Sequence, residues 1–481
     1  MCLNGTIEDT IMHVLKVLDS EEILQKLGYT YHKRITPKIE PERASIRFLD
    51  IVPELIKNPE TQWIANQYLY KHQLEALRFL DQGYNIILKS GTGSGKTEAW
   101  FFYFFNKAKT EKFKAIAIYP TLALANDQIK RISGYASTAN IKVLKLDALQ
   151  RDEYIKRLGI SGLRKLIAES DLVITNPAFL HHEIKKLILN PSKSLLYPLF
   201  RDLNLLVIDE LDFYGPRSVA LLLALTDIIA KFSSKDLQVA ILTATLANPE
   251  DMCRYLEDIT KRKCAIISGL PFAVENRSYI VLGKNLRDIW IKLQQYLHRI
   301  AKYRDVDKDV IEALKDFEQF KNNAYRVVSY LEALGFEVPS LGLNPIEILA
   351  SYANDDGVTL VFTRSIARAE EIAKALKSIV GDKVASHHHL VPKKLREEIE
   401  ERARLGDLKI IVSPRTLTQG IDIGTVIRVV HIGLPEDVRE FFQREGRKGR
   451  RQEIPFTESI IIPSTRWDWE LLSKGFKALE K

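Results

Sequence analysis

Asn85-Ile86-Ile87-Leu88-Lys89-Ser90-Gly91-Thr92-Gly93-Ser94-Gly95-Lys96-Thr97 decides how this chain is read. Its first half is apolar and partly β-branched, as a parallel strand buried on both faces is. Its second half carries Gly91, Gly93 and Gly95, which let the backbone turn tightly and aim N–H groups at phosphate oxygens. A helix starting near Gly95 adds its positive end to the same place. Lys96 is then expected to reach the β- and γ-phosphates of a nucleoside triphosphate, and the Thr97 hydroxyl to sit on Mg2+. Ser90, Gly91, Thr92, Gly93, Ser94, Gly95, Lys96 and Thr97 are thus the candidate phosphate-binding residues. Ser90 stands where the strict phosphate-loop pattern has its first glycine.

A second apolar run, Leu205-Leu206-Val207-Ile208, ends in Asp209-Glu210. An acidic pair at the carboxyl end of a strand divides two tasks. Asp209 is expected to hold Mg2+, and Glu210 to polarise the attacking water. Phosphoryl transfer also needs positive charge on the transition state. Arg447 and Arg450, three apart in Gly-Arg-Lys-Gly-Arg, have the spacing of one helical face. An arginine so placed is worth about 10³–10⁵ in rate.

These stretches, in this order, resemble the superfamily 2 helicases, and the resemblance runs from about Tyr68 to about Pro463. It implies an α/β fold of two tandem RecA-like domains, with ATP and Mg2+ in the cleft between them. Tyr70-Lys71-His72-Gln73 is similar to the adenine-recognition element, with Gln73 on the base. Tyr119-Pro120-Thr121 and the residues to Gln128 resemble motif Ia. Thr175-Asn176-Pro177 resembles the strand-gripping turn of Lhr-type and MrfA-type helicases. The resemblance implies nucleic-acid contacts from Pro120, Thr121, Thr175 and Pro177. Thr243-Ala244-Thr245 resembles motif III, implying that Thr243 and Thr245 couple hydrolysis to domain movement. Val361-Phe362-Thr363-Arg364-Ser365 resembles motif IV, adding Thr363 and Arg364 to the nucleic-acid contacts. Gly420-Ile421-Asp422 resembles the end of motif V, with Gly420 and Asp422 at the nucleotide and Asp422 on the ribose. Gln443, Arg447 and Arg450 fall on motif VI.

Two departures stand out. Motif II ends in Asp212 where Lhr- and MrfA-type proteins usually carry histidine. Motif V has Pro414 where a threonine is usual, so Arg415 or Thr416 is expected to supply that nucleic-acid contact, since proline has neither a hydroxyl nor an N–H.

The resemblance implies an ATP-dependent helicase or translocase moving 3′ to 5′, with DNA preferred and RNA as the alternative polymer. A second reading is a non-unwinding ATPase subunit of a larger nucleic-acid-processing complex. A third is a nucleotide-sensing clamp without turnover, against which the intact Lys96, Asp209, Glu210, Arg447 and Arg450 argue.

Composition is consistent with this. At 481 residues the chain is long enough for two or three domains, and the net charge of +8 suits a polyanionic partner. Cys2, Cys253 and Cys264 are too few for a four-cysteine metal or iron–sulfur site. Their odd number and the lack of an amino-terminal apolar leader suggest a reducing, cytoplasmic setting. No apolar run reaches the roughly 18 residues a membrane span needs. His387-His388-His389 is read as a loop, because adjacent residues do not face one metal.

Four divisions are expected: an accessory segment 1–67 packed on the first core domain, a first RecA-like domain 68–275, a helical connector 276–356, and a second RecA-like domain 357–481. Ile11, Val14, Leu15 and Leu18 predict a helix over Ile7–Leu27 in the first of these. Apolar residues at helical spacing across 286–334 fit two readings, a connector packed on the second domain or an arm that touches substrate or a protein partner.

Overall fold

Apolar strand runs alternating with amphipathic helices fold as parallel sheets covered on both faces. The computed structural model shows two such sheets of seven strands. It describes residues 15–479, apart from Thr92, Pro271, Ala301, 303–306, 415–424 and 450–453. Ile39–Phe272 forms one unit, and the chain on either side of it forms the other.

The amino-terminal segment expected as one accessory element divides between these units. Strand β1 (Tyr29–Thr36) pairs antiparallel with Asn276–Lys284 in the carboxyl-terminal unit. Strand β2 (Arg43–Arg47) pairs antiparallel with β3 (Tyr68–Tyr70) in the other. Apolar burial explains the split. Leu24 and Tyr29 enter the core of the carboxyl-terminal unit, whereas Phe48, Val52, Leu55 and Ile64 enter that of the amino-terminal unit. The helix expected over Ile7–Leu27 is also shorter and runs Ser20–Lys26. Asp19 is extended and accepts the Glu21 N–H, which fixes the helix start. Leu15 and Leu18 precede it, and Ile11 and Val14 lie outside the described residues.

Fully buried Arg428 anchors this segment from the far end of the chain. Its guanidinium donates to Glu458 at 2.6 Å, Asp355 at 2.5 Å and the Leu18 carbonyl at 2.7 Å. Burial works against its charge, but Glu458, Tyr352 and Asp355 outweigh it and raise the guanidinium pKa. Arg428→Met should therefore leave two buried carboxylates without a cation, a loss of about 3–5 kcal/mol. A denaturant midpoint for the carboxyl-terminal unit that does not move would refute this.

The first sheet comprises β4 (Asn85–Ser90), β5 (Lys114–Ile118), β6 (Val143–Lys145), β7 (Leu172–Thr175), β8 (Leu203–Ile208), β9 (Gln238–Thr243) and β10 (Cys264–Gly269). Their order is β10-β4-β9-β8-β5-β7-β6, with every pairing parallel. The strands bury both faces in alternation. Ile86, Leu88, Leu205 and Val207 face one core, and Ile87, Leu206 and Ile208 face the other. Trp100 to Phe105, in the helix Lys96–Thr110, are all buried in the first of these cores. That helix is fixed firmly behind the phosphate loop.

The second sheet comprises β11 (Asn276–Lys284), β12 (Val358–Phe362), β13 (Val384–Ser386), β14 (Ile410–Ser413), β15 (Val426–Ile432) and β16 (Thr457–Ile462). Its order is β1-β11-β16-β15-β12-β14-β13, parallel except for β1. The segment 276–356, expected as a helical connector, begins with a sheet strand. Its helices Leu286–Gln294, Lys308–Lys315 and Phe317–Ala333 pack on Ile280, Leu282 and Ile461 of this sheet. His387 and His388 contact Glu400 at 3.0 Å and Glu370 at 2.6 Å. No group of side chains suited to a metal ion is found among the described residues by its His, Cys, Asp and Glu content.

The cysteines correct an expectation. Cys253, on the helix Pro249–Thr260, is joined in a disulfide to Cys264, the first residue of β10. The helix returns directly into the strand and brings the two Cα atoms to 5.4 Å. Cysteine usage therefore gives no support to a reducing setting. Closing a loop of this size stabilises a fold by about 3 kcal/mol. Dithiothreitol should lower the melting temperature of the chain and leave that of Cys253→Ser unchanged; equal shifts in both would contradict the pairing.

Candidate functional site

A parallel sheet collects its ligand groups at the carboxyl ends of its strands. In the amino-terminal unit β4 delivers the phosphate loop there, and the helix Lys96–Thr110 starts immediately after it. Gly93 and Gly95 hold φ of +78° and +74°, where a side chain would be strained. A Cβ on Gly95 would also lie 2.2 Å from the Gln73 amide nitrogen. Lys96 is buried, and its ammonium donates to the carbonyls of Ser90 at 2.9 Å and Gly91 at 3.3 Å. The hydroxyls of Ser90 and Ser94 are buried without a hydrogen-bond partner. Thr92 lies outside the described residues.

The loop is held from behind by the helix Lys71–Asp81. His72 Nε2 lies 2.9 Å from the Ser94 carbonyl, so that nitrogen carries the proton. Burial keeps the ring neutral by lowering its pKa. Gln73 is buried, accepts the Tyr70 N–H at 2.8 Å and donates to the Gly95 carbonyl at 2.9 Å. The residue expected on the adenine is thus bonded at both ends of its amide to the chain itself.

Strand β8 places Asp209 and Glu210 beside the loop. The Asp209 N–H donates to the Ile118 carbonyl at 3.0 Å, which fixes the end of β8 against β5. The Asp209 carboxylate is buried and accepts the Glu210 N–H at 2.8 Å. Burial, then the Glu210 charge, pushes its pKa up to about 7, with Lys96 opposing them. Glu210 Oε1 lies 3.8 Å from the Lys96 ammonium. Glu210 also holds a φ of +51°, a strained conformation for a non-glycine residue. A buried carboxylate whose ionisation is opposed by burial and by the Glu210 charge fits a cation, and a lysine capped by loop carbonyls fits an anion. The residues present therefore suit a magnesium nucleotide.

Asp212 accepts the Thr243 hydroxyl at 3.1 Å and the Ala244 N–H at 3.0 Å. The acidic turn after β8 and the turn after β9 are therefore tied by a carboxylate. Thr243 is buried, and its hydroxyl also lies 2.8 Å from the Thr245 carbonyl. Thr245 itself is exposed.

The residues expected to grip a strand differ in what they offer. Pro120 and Thr121 follow β5, and the Tyr119 N–H donates to the Thr175 carbonyl at 3.0 Å, so the β5 and β7 turns lie side by side. Thr175 is buried and its hydroxyl donates to the Leu146 carbonyl at 2.7 Å. Pro177 opens the helix Pro177–Leu189, capped by Asn176, whose side chain accepts the Phe179 N–H at 2.9 Å. In the carboxyl-terminal unit Thr363 is buried, with its hydroxyl donating to the Ser365 carbonyl at 3.0 Å. Arg364 donates to the Leu434 carbonyl at 3.2 Å and pairs with buried Asp468 at 2.7 Å, its side chain still 45% exposed. Arg415, Thr416, Gly420 and Asp422 lie outside the described residues.

Motif VI departs from the helical face expected of Arg447. The helix Val438–Glu445 ends before it at Gly446, and Arg447 sits half-buried in the following turn, which continues to Gly449 at φ +69°. Gln443 is half-buried on the helix, and Arg450 lies outside the described residues. The neighbouring cations are structural. Arg444 is buried, pairs with Glu440 at 2.8 Å and lies over the Phe362 ring at 4.9 Å. Lys448 pairs with Glu445 at 2.5 Å and contacts Ser459. Burial pushes the Glu445 carboxyl up, but Lys448 and His431 outweigh it and hold it at about 2.

Sequence reasoning missed the supports: His72 behind the loop, Gln128 on the Thr97 hydroxyl at 3.1 Å, and Glu98 against Arg131. Only Asn176-Pro177 had a local signal, a capping residue followed by proline.

Comparison with known proteins agrees with this geometry. The DEAD/DEAH box helicase family matches residues 70–252, and the helicase conserved C-terminal domain matches residues 344–452. An uncharacterized ATP-dependent helicase of Methanocaldococcus jannaschii is 26% identical over 398 residues, covering 80% of this chain and 48% of its own. The Lhr-Core ATP-dependent helicase of that organism is 23% identical over 437 residues, covering 86% of this chain and 44% of its own. The chain spans about half the length of these curated relatives. Among solved structures, the DUF1998 helicase MrfA bound to DNA and AMPPNP matches with a TM-score of 0.69 at 22% identity, over 96% of this chain and 57% of its own. The DEAD-box helicase Mss116 bound to ssRNA and UDP-BeF matches with a TM-score of 0.54 at 14% identity, over 89% and 77%. With a DEAD/DEAH box helicase domain and a helicase conserved C-terminal domain matched in order, the chain carries a superfamily 2 helicase core.

Proposed function

We propose that this chain is the motor core of an ATP-dependent helicase that moves 3′ to 5′ along DNA. The observation that carries the reading is the convergence of Lys96, Asp209 and Glu210 at the strand ends of one sheet. Lys96 and the loop N–H groups hold the β- and γ-phosphates. Thr97 and Asp209 would hold magnesium, which would offset the phosphate charge. Glu210 orients and polarises the attacking water, and Arg447 and Arg450 supply charge to the transition state. Gln73 would exchange its contact with Gly95 for the adenine, and Gly420 and Asp422 take the ribose side. Thr243, tied to Asp212, and Thr245, whose carbonyl the Thr243 hydroxyl contacts, pass the state of the γ-phosphate to the strand-gripping turns. Grip comes from the turns at Pro120-Thr121, Thr175–Pro177, Thr363-Arg364 and Arg415-Thr416. Since the hydroxyls of Thr175 and Thr363 are used internally, backbone N–H groups and Arg364 carry the phosphate contacts there.

DNA rests on the likeness to MrfA bound to DNA and to a mycobacterial Lhr bound to ssDNA, and RNA is the alternative raised by Mss116. The cytoplasmic setting of this reading rests on the proposed nucleic-acid substrate alone. A protein partner through 286–334 belongs to the second reading, a motor subunit of a larger assembly. Unwinding of duplexes with a 3′ or a 5′ single-stranded tail tests both. Separation of the 3′-tailed DNA alone supports the helicase; ATP hydrolysis without separation of either duplex would favour the subunit.

A further inference from the structure

We propose that the helix Leu122–Ala136 is a rigid link between a bound strand and the phosphate loop, with Gln128 and Arg131 as its positioning residues. The inference rests on the functional reading above and adds a route within the amino-terminal unit, separate from the Asp212 tie.

The helix Leu122–Ala136 begins directly after Pro120-Thr121, and the Ala125 N–H donates to the Thr121 carbonyl at 3.1 Å. A displacement of that turn by a phosphate is therefore a displacement of the helix. Gln128 is seven residues further on, about 10 Å along the axis. There the helix meets the first turn of the helix Lys96–Thr110 at two points. The Thr97 hydroxyl donates to Gln128 Oε1 at 3.1 Å. Glu98, 1% exposed, pairs with Arg131 and accepts the Tyr135 hydroxyl at 3.1 Å.

Each contact has a chemical consequence at the loop. A hydroxyl has one hydrogen and two lone pairs. With its hydrogen given to Gln128, Thr97 turns its lone pairs to the side where a metal oxygen ligand is needed. Glu98 keeps its second carboxylate oxygen, Oε2, buried and unpartnered, 3.4 Å from where a Cβ on Gly95 would stand. Arg131 thus sets how closely a negative charge approaches the phosphate loop. Moving the helix changes both the aim of Thr97 and the position of Glu98, and so the affinity for a magnesium nucleotide.

The test is a binding measurement. A fluorescent ADP analogue is titrated onto the full chain with Mg2+, with and without a saturating single-stranded DNA, and in a parallel arm single-stranded RNA. Coupled sites shift each other's affinity by about 5–150-fold. The wild-type chain should show a shift in that range with one of the two polymers. Gln128→Leu and Arg131→Gln should bring the shift close to one, while polymer affinity without nucleotide stays near wild type; Gln128→Leu should also keep the wild-type melting temperature, whereas Arg131→Gln, which leaves buried Glu98 without its cation, should lower it. Gln128→Glu, which keeps the acceptor oxygen, should keep the shift. A wild-type shift that survives in both Gln128→Leu and Arg131→Gln overturns the link and leaves the proposed function standing. No shift in the wild-type chain with either polymer overturns both.

Discussion

Replacing Arg447 by alanine is expected to lower the ATP turnover number about 10³–10⁵-fold, with the melting temperature close to wild type. Arg447 sits in the turn after the helix Val438–Glu445, at a place where the basic residues around it are committed elsewhere. Arg444 is locked between Glu440 and the Phe362 ring. Lys448 is the counter-charge of Glu445, which also contacts His431 at 2.8 Å. Lys448→Ala should therefore have the opposite signature, a lower melting temperature from an uncompensated buried carboxylate and a smaller effect on turnover. A turnover loss in Lys448→Ala equal to that in Arg447→Ala would show that the transition-state cation has been misassigned.

Glu210→Gln is expected to lower turnover about 10²–10⁴-fold while nucleotide binding persists. The amide keeps the size and reach of the carboxylate but not its basicity, so water is still placed and no longer polarised. Removing the charge also relieves Asp209, whose carboxyl Glu210 pushes upward. Nucleotide affinity should thus hold or rise. Glu210 sits at φ +51°, and both side chains carry the same strain there, so the substitution is a clean comparison. Undiminished hydrolysis in Glu210→Gln would remove it from the role of water activation.

Most of the fold was legible because buried parallel strands are written as short apolar runs. The runs ending at Lys89 and Ile208 both became strands of one sheet, since each must fill two cores at once. Strand β10, with Ile266 exposed, carries too broken an apolar pattern to be read this way. Strand β1, Tyr-Thr-Tyr-His-Lys-Arg-Ile-Thr, is mostly polar and lies at the edge of its sheet, so nothing local marks it. Its place is set by Leu24 and Tyr29 and by the Arg428 cluster, in which Leu18 lies 410 residues from Arg428. The helix boundaries failed for a simpler reason. Asp19 caps the start of a helix that apolar spacing would begin earlier, and Gly446 ends one that the spacing of Arg447 and Arg450 would continue.

The nucleotide half of the site was legible because its residues are contiguous. A loop that wraps a phosphate must come from one short segment, and Ser90 to Thr97 is that segment. The supporting residues were not, because Gln128 and Arg131 reach Thr97 and Glu98 from another helix. Asp212 lies between these cases. Its departure from histidine was visible, and its two bonds to Thr243 and Ala244 show that a carboxylate makes the tie.

The most direct test of the central claim is the rate of ATP hydrolysis by the chain alone, with single-stranded DNA, and with single-stranded RNA. A motor core that couples its phosphate loop to a gripped strand should hydrolyse slowly alone and many-fold faster with DNA, and that acceleration should vanish in Glu210→Gln. A measurable rate that neither polymer changes would contradict a nucleic-acid-driven motor.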